Sequence, residues 1–367
     1  MPVTTAPTSL CLLRLSALGD ASHALALVRD LQAARPDWPL TWVLGKGEAK
    51  LMQGLDGVEL VTFDKSAGWA GLRALRAELA GHRFDVLLNL QLALRASLAS
   101  TAVKARRRIG YDKARSKEGH GLFINERIAP GGLHVLDAFR QFLAPLGITP
   151  GPVQWRLPVP PEAHDWAAAQ LPGEQPTLLV SPCSSHPLRN WRPERYAAVA
   201  DHAAARGWRV VLCGGRSALE RDTADRILAA MTGPALDLVG KDTLKQLLAL
   251  LGRASLVLTP DSGPMHLANA MGTAVLGLHA CTDAERSGPY SDRRWTVNRY
   301  AQACQQFLGK PAERVRWGRR VEFPGVMDLV SVADVIERLD AYVAKADVRG
   351  LLPAGGARGV KEPRALL

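Results

Sequence analysis

Short, continuously apolar runs alternate with longer amphipathic stretches along almost the whole chain. LCLLRLS, LTWVLG, VELVTF and DVLLNL in the first half, and TLLVSPCSS, RVVLCGG, LDLVG, ASLVLTPDSG and AVLGLHA in the second, read as strands. Between them lie helical patterns such as WAGLRALRAELAGH, ALERDTADRILAAM and TLKQLLALLGRA. This alternation predicts α/β architecture with doubly wound parallel sheets. At 367 residues the chain holds two domains with full cores. A helix over 134–148 closes the first half, and the Pro-rich ITPGPVQWRLPVPPEAH (148–164) reads as a linker. The expected division is therefore 1–160, 161–330, a C-terminal helix over 331–346 and a disordered tail over 347–367. In such sheets ligands sit beyond the carboxyl ends of the strands, so function is to be sought in the loops there.

Composition narrows the function classes. Charged residues at 22% and hydrophobic ones at 47% are ordinary for a soluble enzyme, and no apolar run reaches the roughly 18 residues of a membrane-spanning helix. The N-terminus has neither the basic start nor the cleavage site of a signal peptide and reads as a short tail. Five scattered cysteines without CxxC spacing argue against disulfides and structural zinc and for a reducing cytoplasm. The net charge of +11 calls for an anionic partner or a solvated basic face. Its densest segment, 104–127, carries eight Lys or Arg against three Asp or Glu, and RVRWGRR follows at 314–320. Neither fits a nucleic-acid-binding motif, and aromatic residues are only 6% of the chain, so nucleic acid is the least favoured partner.

Six loops carry candidate chemistry. In TPDSGPMHLANAMG (259–272), Asp261, Ser262 and His266 are the residue types of an acyl-transfer triad, but they crowd into six positions and lack a G-x-S-x-G elbow. A strand, a tight turn and a helix start fit better, and the turn's backbone N–H groups with the helix dipole make an anion site. His266 by itself reads more readily as a helix-packing residue. LRLSALGDASH places Asp20 after the first strand, either as a base for a substrate hydroxyl or as the N-cap of a helix starting at Ala21; no GxGxxG is present, which disfavours a dinucleotide. Arg189, in SPCSSHPLRNWRPERY, suits a phosphate or simply covers Trp191. Glu220, after Gly214 and Gly215, suits a ribose or the dipole of its own helix. Lys241 stands before a capped helix, and Thr282 and Asp283 lie beyond the last strand.

In order and spacing, RLSALGD, RNWRPERY, VVLCGG, TPDSGPMHLANAMG and SGPY resemble glycosyltransferase family nine, the lipopolysaccharide heptosyltransferases, from about residue 10 to 343. The basic KARSKEGHGLFINER and HVLDAFR look like the first-heptose branch. The resemblance implies a GT-B fold, two facing Rossmann-like domains with the acceptor on the N-terminal one and the nucleotide-sugar on the C-terminal one. It implies inverting transfer of heptose from ADP-heptose, with no metal and no cofactor. Asp20 matches the family's general base, Asp261, Ser262, Gly263 and His266 its donor turn, and Glu220 its ribose contact. Lys241 would border the base pocket. Arg189 stands where the family commonly has Lys, and Ser262 where Thr is commoner.

With a metal-free diphosphate leaving group, its charge falls to Arg189 and the backbone N–H groups of Ser262 and Gly263. The anionic acceptor, lipid A bearing Kdo, gives the basic charge a purpose, and Lys113, Arg115 and Lys117 are its candidate contacts. The expected location is cytoplasmic and peripheral, at the inner leaflet of the inner membrane. The competing readings are a GT-B transferase using another nucleotide-sugar on a different glycan, and a non-catalytic nucleotide- or glycan-binding protein of the same fold.

Overall fold

A computed structural model describes residues 8–348. The chain divides into two compact units at Pro158/Val159. The tail expected to be disordered lies, from residue 349 on, outside the described residues.

The first unit is built on six strands, β1 (Leu10–Leu13), β2 (Leu40–Gly45), β3 (Val58–Phe63), β4 (Phe84–Asn89), β5 (Ala105–Gly110) and β6 (Glu126–Arg127). Helices α1 (Leu18–Ala34), α2 (Lys46–Met52), α3 (Gly68–Glu78), α4 (Leu94–Ser100) and α5 (Val135–Arg140) connect or follow them. All neighbours pair in parallel, in the order β3-β2-β1-β4-β5-β6. β1 and β2 are buried throughout, as unbroken apolar runs must be when helices cover both faces.

Two sequence expectations change here. The helix expected over 134–148 is α5 followed by a 3-10 turn over Gln141–Leu146, because Pro145 cannot continue α-helical hydrogen bonding. The basic run ARRRIG, read only as charge, is the strand β5. Half of the dense basic segment is consumed inside this unit. Arg107 donates to both Glu126 oxygens at 2.9 and 2.8 Å. Arg108 donates to the Phe123, Val103 and Ser100 carbonyls, and Arg127 to that of Tyr111. Arg115 is 8% exposed. The middle of the Pro-rich segment is tied to α1, where Arg29 donates to the Trp155 carbonyl at 3.1 Å and to that of Arg156 at 2.6 Å.

The second unit opens with α6 (Pro161–Gln170) and repeats the plan with β7 (Thr177–Val180), β8 (Arg209–Leu212), β9 (Leu236–Asp237), β10 (Leu256–Pro260), β11 (Ala274–His279) and β12 (Val297–Asn298). Its remaining helices are α7 (Pro193–Ala204), α8 (Ala218–Ala230), α9 (Leu244–Arg253), α10 (Gly263–Ala270), α11 (Ala284–Ser287), α12 (Tyr300–Ala303) and α13 (Val332–Val348). The order β12-β11-β10-β7-β8-β9, again parallel, is the first sheet's order counted from its own first strand. The C-terminal helix α13 packs Val335 and Leu339 into this unit's core, beside Trp208 and Val321. Each sheet reverses its winding between its first and fourth strands. Doubly wound sheets bind ligands beyond the carboxyl ends of their strands, at the point where the winding reverses.

Candidate active site

In the first unit the loops after β1 and β4 stand at that point and are laced together. Leu15 N–H donates to Gln91 Oε1 at 2.7 Å, and Arg14 Nη1 to the Leu90 carbonyl at 2.6 Å. Arg14 also lies over the Phe139 ring, 5.2 Å from its centroid. α1 starts at Leu18 with Ala17 as its N-cap, so Asp20 occupies the third helical position and is not itself the N-cap. Its Oδ2 accepts from the Ala17 N–H at 3.3 Å and forms an ion pair with Arg14. Among the described residues no protein group bonds Oδ1, and the side chain is 32% exposed. One oxygen is anchored and the other is open. Arg14, invisible as a site residue in the sequence reading, is what fixes this carboxylate.

On the loop between β5 and β6, Lys113 and Lys117 are exposed, as an acceptor contact requires. Arg115 is different: it forms a buried ion pair with Asp112 and donates to the Ala129 carbonyl at 3.1 Å and to Gln141 Oε1 at 2.9 Å. Expected as an acceptor contact like the two lysines, it is instead seen holding the loop to α5's end through its guanidinium.

In the second unit three loops converge. β10 ends at Pro260, and Asp261, Ser262 and the first turn of α10 follow at once. Ser262 Oγ pairs with Thr259 Oγ1 at 2.8 Å, so it gives the helix no side-chain cap and leaves the N-terminal turn to a ligand or solvent. His266 Nε2 lies 3.7 Å from Asp261 Oδ1, and Ser287 Oγ donates to Asp261 Oδ2 at 3.2 Å. Burial alone would raise the Asp261 carboxyl, but His266, His279 and Thr282 together hold it well below the usual carboxylate range. Burial lowers the His279 imidazole, against the pull of Asp261. The three residue types that suggested a triad thus form a carboxylate–imidazole pair and a separate hydroxyl bonded elsewhere.

Arg189 follows β7 on a 3-10 turn and donates through Nε (3.0 Å) and Nη2 (2.8 Å) to Glu322 Oε1. It does not cover Trp191; Arg195 does, 6.0 Å from the ring. Glu322 lies 133 residues on, with no sequence signal to join the two. The Cys281 thiol, after β11, donates to the Leu188 carbonyl at 2.9 Å and stays protonated, since burial pushes it up to about 12. After β8, Glu220 Oε1 accepts from the Gly215 N–H and Oε2 from the N-cap Ser217 hydroxyl, both at 2.7 Å. A Cβ on Gly215 would sit 2.8 Å from that carboxylate, so a larger residue there would push the Glu220 side chain aside. Lys241 is exposed and donates to the Asp237 carbonyl at 2.7 Å.

The sequence pattern of glycosyltransferase family 9 (heptosyltransferase) matches residues 72–317. The lipopolysaccharide core heptosyltransferase OpsX of Haemophilus influenzae is 38% identical over 92% of this chain and 98% of its own. Lipopolysaccharide heptosyltransferase 3 of Escherichia coli is 24% identical over 80% of this chain and 84% of its own. Among solved structures, the family 9 glycosyltransferase of Veillonella parvula superposes with a TM-score of 0.77 at 20% identity, covering 92% of this chain and 98% of that one. The E. coli heptosyltransferase WaaC with ADP gives a TM-score of 0.71 at 18% identity, covering 91% and 99%. Identities this low speak for the fold alone, the GT-B pairing of two Rossmann-like domains; the family rests on the sequence matches. On those matches the chain belongs to glycosyltransferase family 9 and is a heptosyltransferase.

Proposed function

We propose that this heptosyltransferase moves a heptose from ADP-heptose onto the Kdo-bearing inner core of lipopolysaccharide, with inversion and without a metal. The observation that carries the reading is the 38% identity, over nearly the full length of both chains, to a protein named for the lipopolysaccharide core. Residues 1–160 take the acceptor and 161–330 the donor.

Asp20 is the base. Arg14 and the Ala17 N–H hold Oδ2, which aims Oδ1. That oxygen takes the acceptor hydroxyl's proton as the hydroxyl oxygen bonds to the anomeric carbon. The bond from that carbon to the diphosphate breaks on the opposite face, and its electron pair leaves with ADP. Arg189 and the N–H groups of Ser262 and Gly263 meet the charge that develops there. Asp261, held ionised, suits sugar hydroxyls better than phosphates, and His266 pairs with it at the donor turn. The Glu220 oxygens retain lone pairs for the ribose hydroxyls, and Lys241 borders the base. Lys113 and Lys117 meet the anionic acceptor, while Arg115 shapes the loop that carries them. No helix among the described residues is long and apolar enough to cross a membrane; the enzyme works peripherally at the cytoplasmic face of the inner membrane.

The Asp20→Ala variant tests this reading. Transfer should fall about 10²–10⁴-fold, the usual contribution of a general base, while ADP binding stays near wild type. Asp20 also accepts a helix-terminal N–H, so a folded variant with undiminished turnover would leave it a helix-capping carboxylate only.

A further inference from the structure

Arg189 spends its Nε and Nη2 on a single oxygen of Glu322. Its Nη1 has no protein partner among the described residues and is not a buried unsatisfied atom, so it reaches solvent although the side chain is only 12% exposed. Glu322 is itself fixed. Its neighbour Val321 is fully buried and donates its N–H to the Cys281 carbonyl at 2.8 Å. The Tyr300 hydroxyl holds the Arg319 carbonyl at 2.8 Å, and Phe323 stacks on Phe307 at 5.6 Å. The Cys281 thiol closes the ring by bonding the carbonyl of Leu188, next to Arg189. His186 Nε2 and Arg320 Nη1 lie 3.8 and 3.9 Å from the Glu322 carboxylate, so the group is net cationic despite it. Burial would raise Glu322, but Arg189, Arg320 and His186 hold it below its ordinary value. Glu322 also lies beyond the segment that the family pattern matches, 72–317.

We propose that Glu322 is a positioning residue for the donor: it grips the Nε/Nη2 edge of Arg189 and presents the Nη1 end of the guanidinium to the ADP diphosphate. This rests on the reading of Arg189 as the diphosphate contact. A guanidinium binds oxyanions through its edges, and an arginine with one edge pinned loses little rotamer freedom on binding. The carboxylate acts by geometry; its charge opposes the ligand and is outweighed by the surrounding cations.

Three variants at one position separate geometry from charge, read by calorimetric ADP affinity and by donor and acceptor KM. Glu322→Ala should weaken ADP binding about tenfold, the scale of one charge-assisted hydrogen bond, and raise donor KM with acceptor KM unchanged. Glu322→Gln keeps an acceptor oxygen at the same reach and should restore binding to near wild type. Glu322→Asp keeps the charge but withdraws it by one methylene and should weaken binding, and it serves as the test where Glu322→Ala does not fold. Glu322→Ala on top of Arg189→Ala should add nothing. If Arg189→Ala weakens ADP binding while Glu322→Ala and Glu322→Asp do not, the positioning role is wrong and the diphosphate reading stands. Unchanged ADP affinity in Arg189→Ala overturns both. Tighter ADP binding in both Glu322→Ala and Glu322→Gln also overturns the role, because the carboxylate would then be a competing anion.

Discussion

At the scale of single residues, the loop between β5 and β6 separates two kinds of basic side chain that the sequence presents alike. Lys113 and Lys117 are exposed, while Arg115 is sunk in an ion pair with Asp112 whose side chains are each 7% exposed. Neutralising Lys113 and Lys117 together to Gln should raise acceptor KM and leave ADP affinity alone. The effect should shrink at high salt, because exposed charges are screened beyond a Debye length of roughly 8 Å at physiological ionic strength. Arg115→Ala should instead destabilise the fold by about 3–5 kcal/mol, the cost of leaving one partner of a buried pair alone. Urea unfolding of both variants, beside acceptor titrations, checks the split. An acceptor KM unmoved by the double Lys variant would make those lysines a solvated face. The Asp112–Arg115 pair, three residues apart, was open to a sequence reading that asked which charges neutralise each other locally. The Arg189–Glu322 pair was not, because nothing in the sequence joins two residues 133 positions apart before the fold exists.

At the scale of elements, the strands and helices of both units were legible wherever burial on both faces forces unbroken apolarity. β5 was not, because its arginines serve as internal hydrogen-bond donors and so disguise a strand as a basic patch. The helix start at Leu18 was missed for a related reason. Ala17 offers no side-chain cap, so the eye moves to Asp20, whose carboxylate reaches back from the third helical position. The β5–β6 connection also carries a pH dependence. His120 is fully buried, its Nε2 accepts from the Tyr111 N–H at 3.2 Å, and burial, helped by Arg127, lowers it to about 4. Above about pH 6.5 the ring is neutral folded and unfolded, and its contribution is constant. As pH falls toward 4 only the unfolded chain takes up the proton, so stability declines by up to about 3 kcal/mol. Denaturation curves at pH 7, 5.5 and 4 should show a decline that is smaller by about that amount in His120→Gln. Equal declines would mean that His120 is protonated in the folded protein.

At the scale of the whole molecule, two sheets of identical winding put every candidate residue beyond the carboxyl ends of strands, which is why loop motifs alone could point to a site. The +11 charge is a weaker guide than it looked, since four of the eight basic residues in its densest segment bond within the first unit. On the proposed reading, the charge open to an anionic acceptor is the exposed share, Lys113 and Lys117 among it. The proposed reaction is transfer of heptose from ADP-heptose to a Kdo-bearing lipid A. The most direct test is turnover of the purified enzyme on that acceptor with ADP-heptose, set against UDP- and GDP-sugars at equal concentration, with the product identified by mass spectrometry. Product one heptose heavier is expected with ADP-heptose alone; efficient transfer from a UDP- or GDP-sugar, with none from ADP-heptose, would overturn the proposed function.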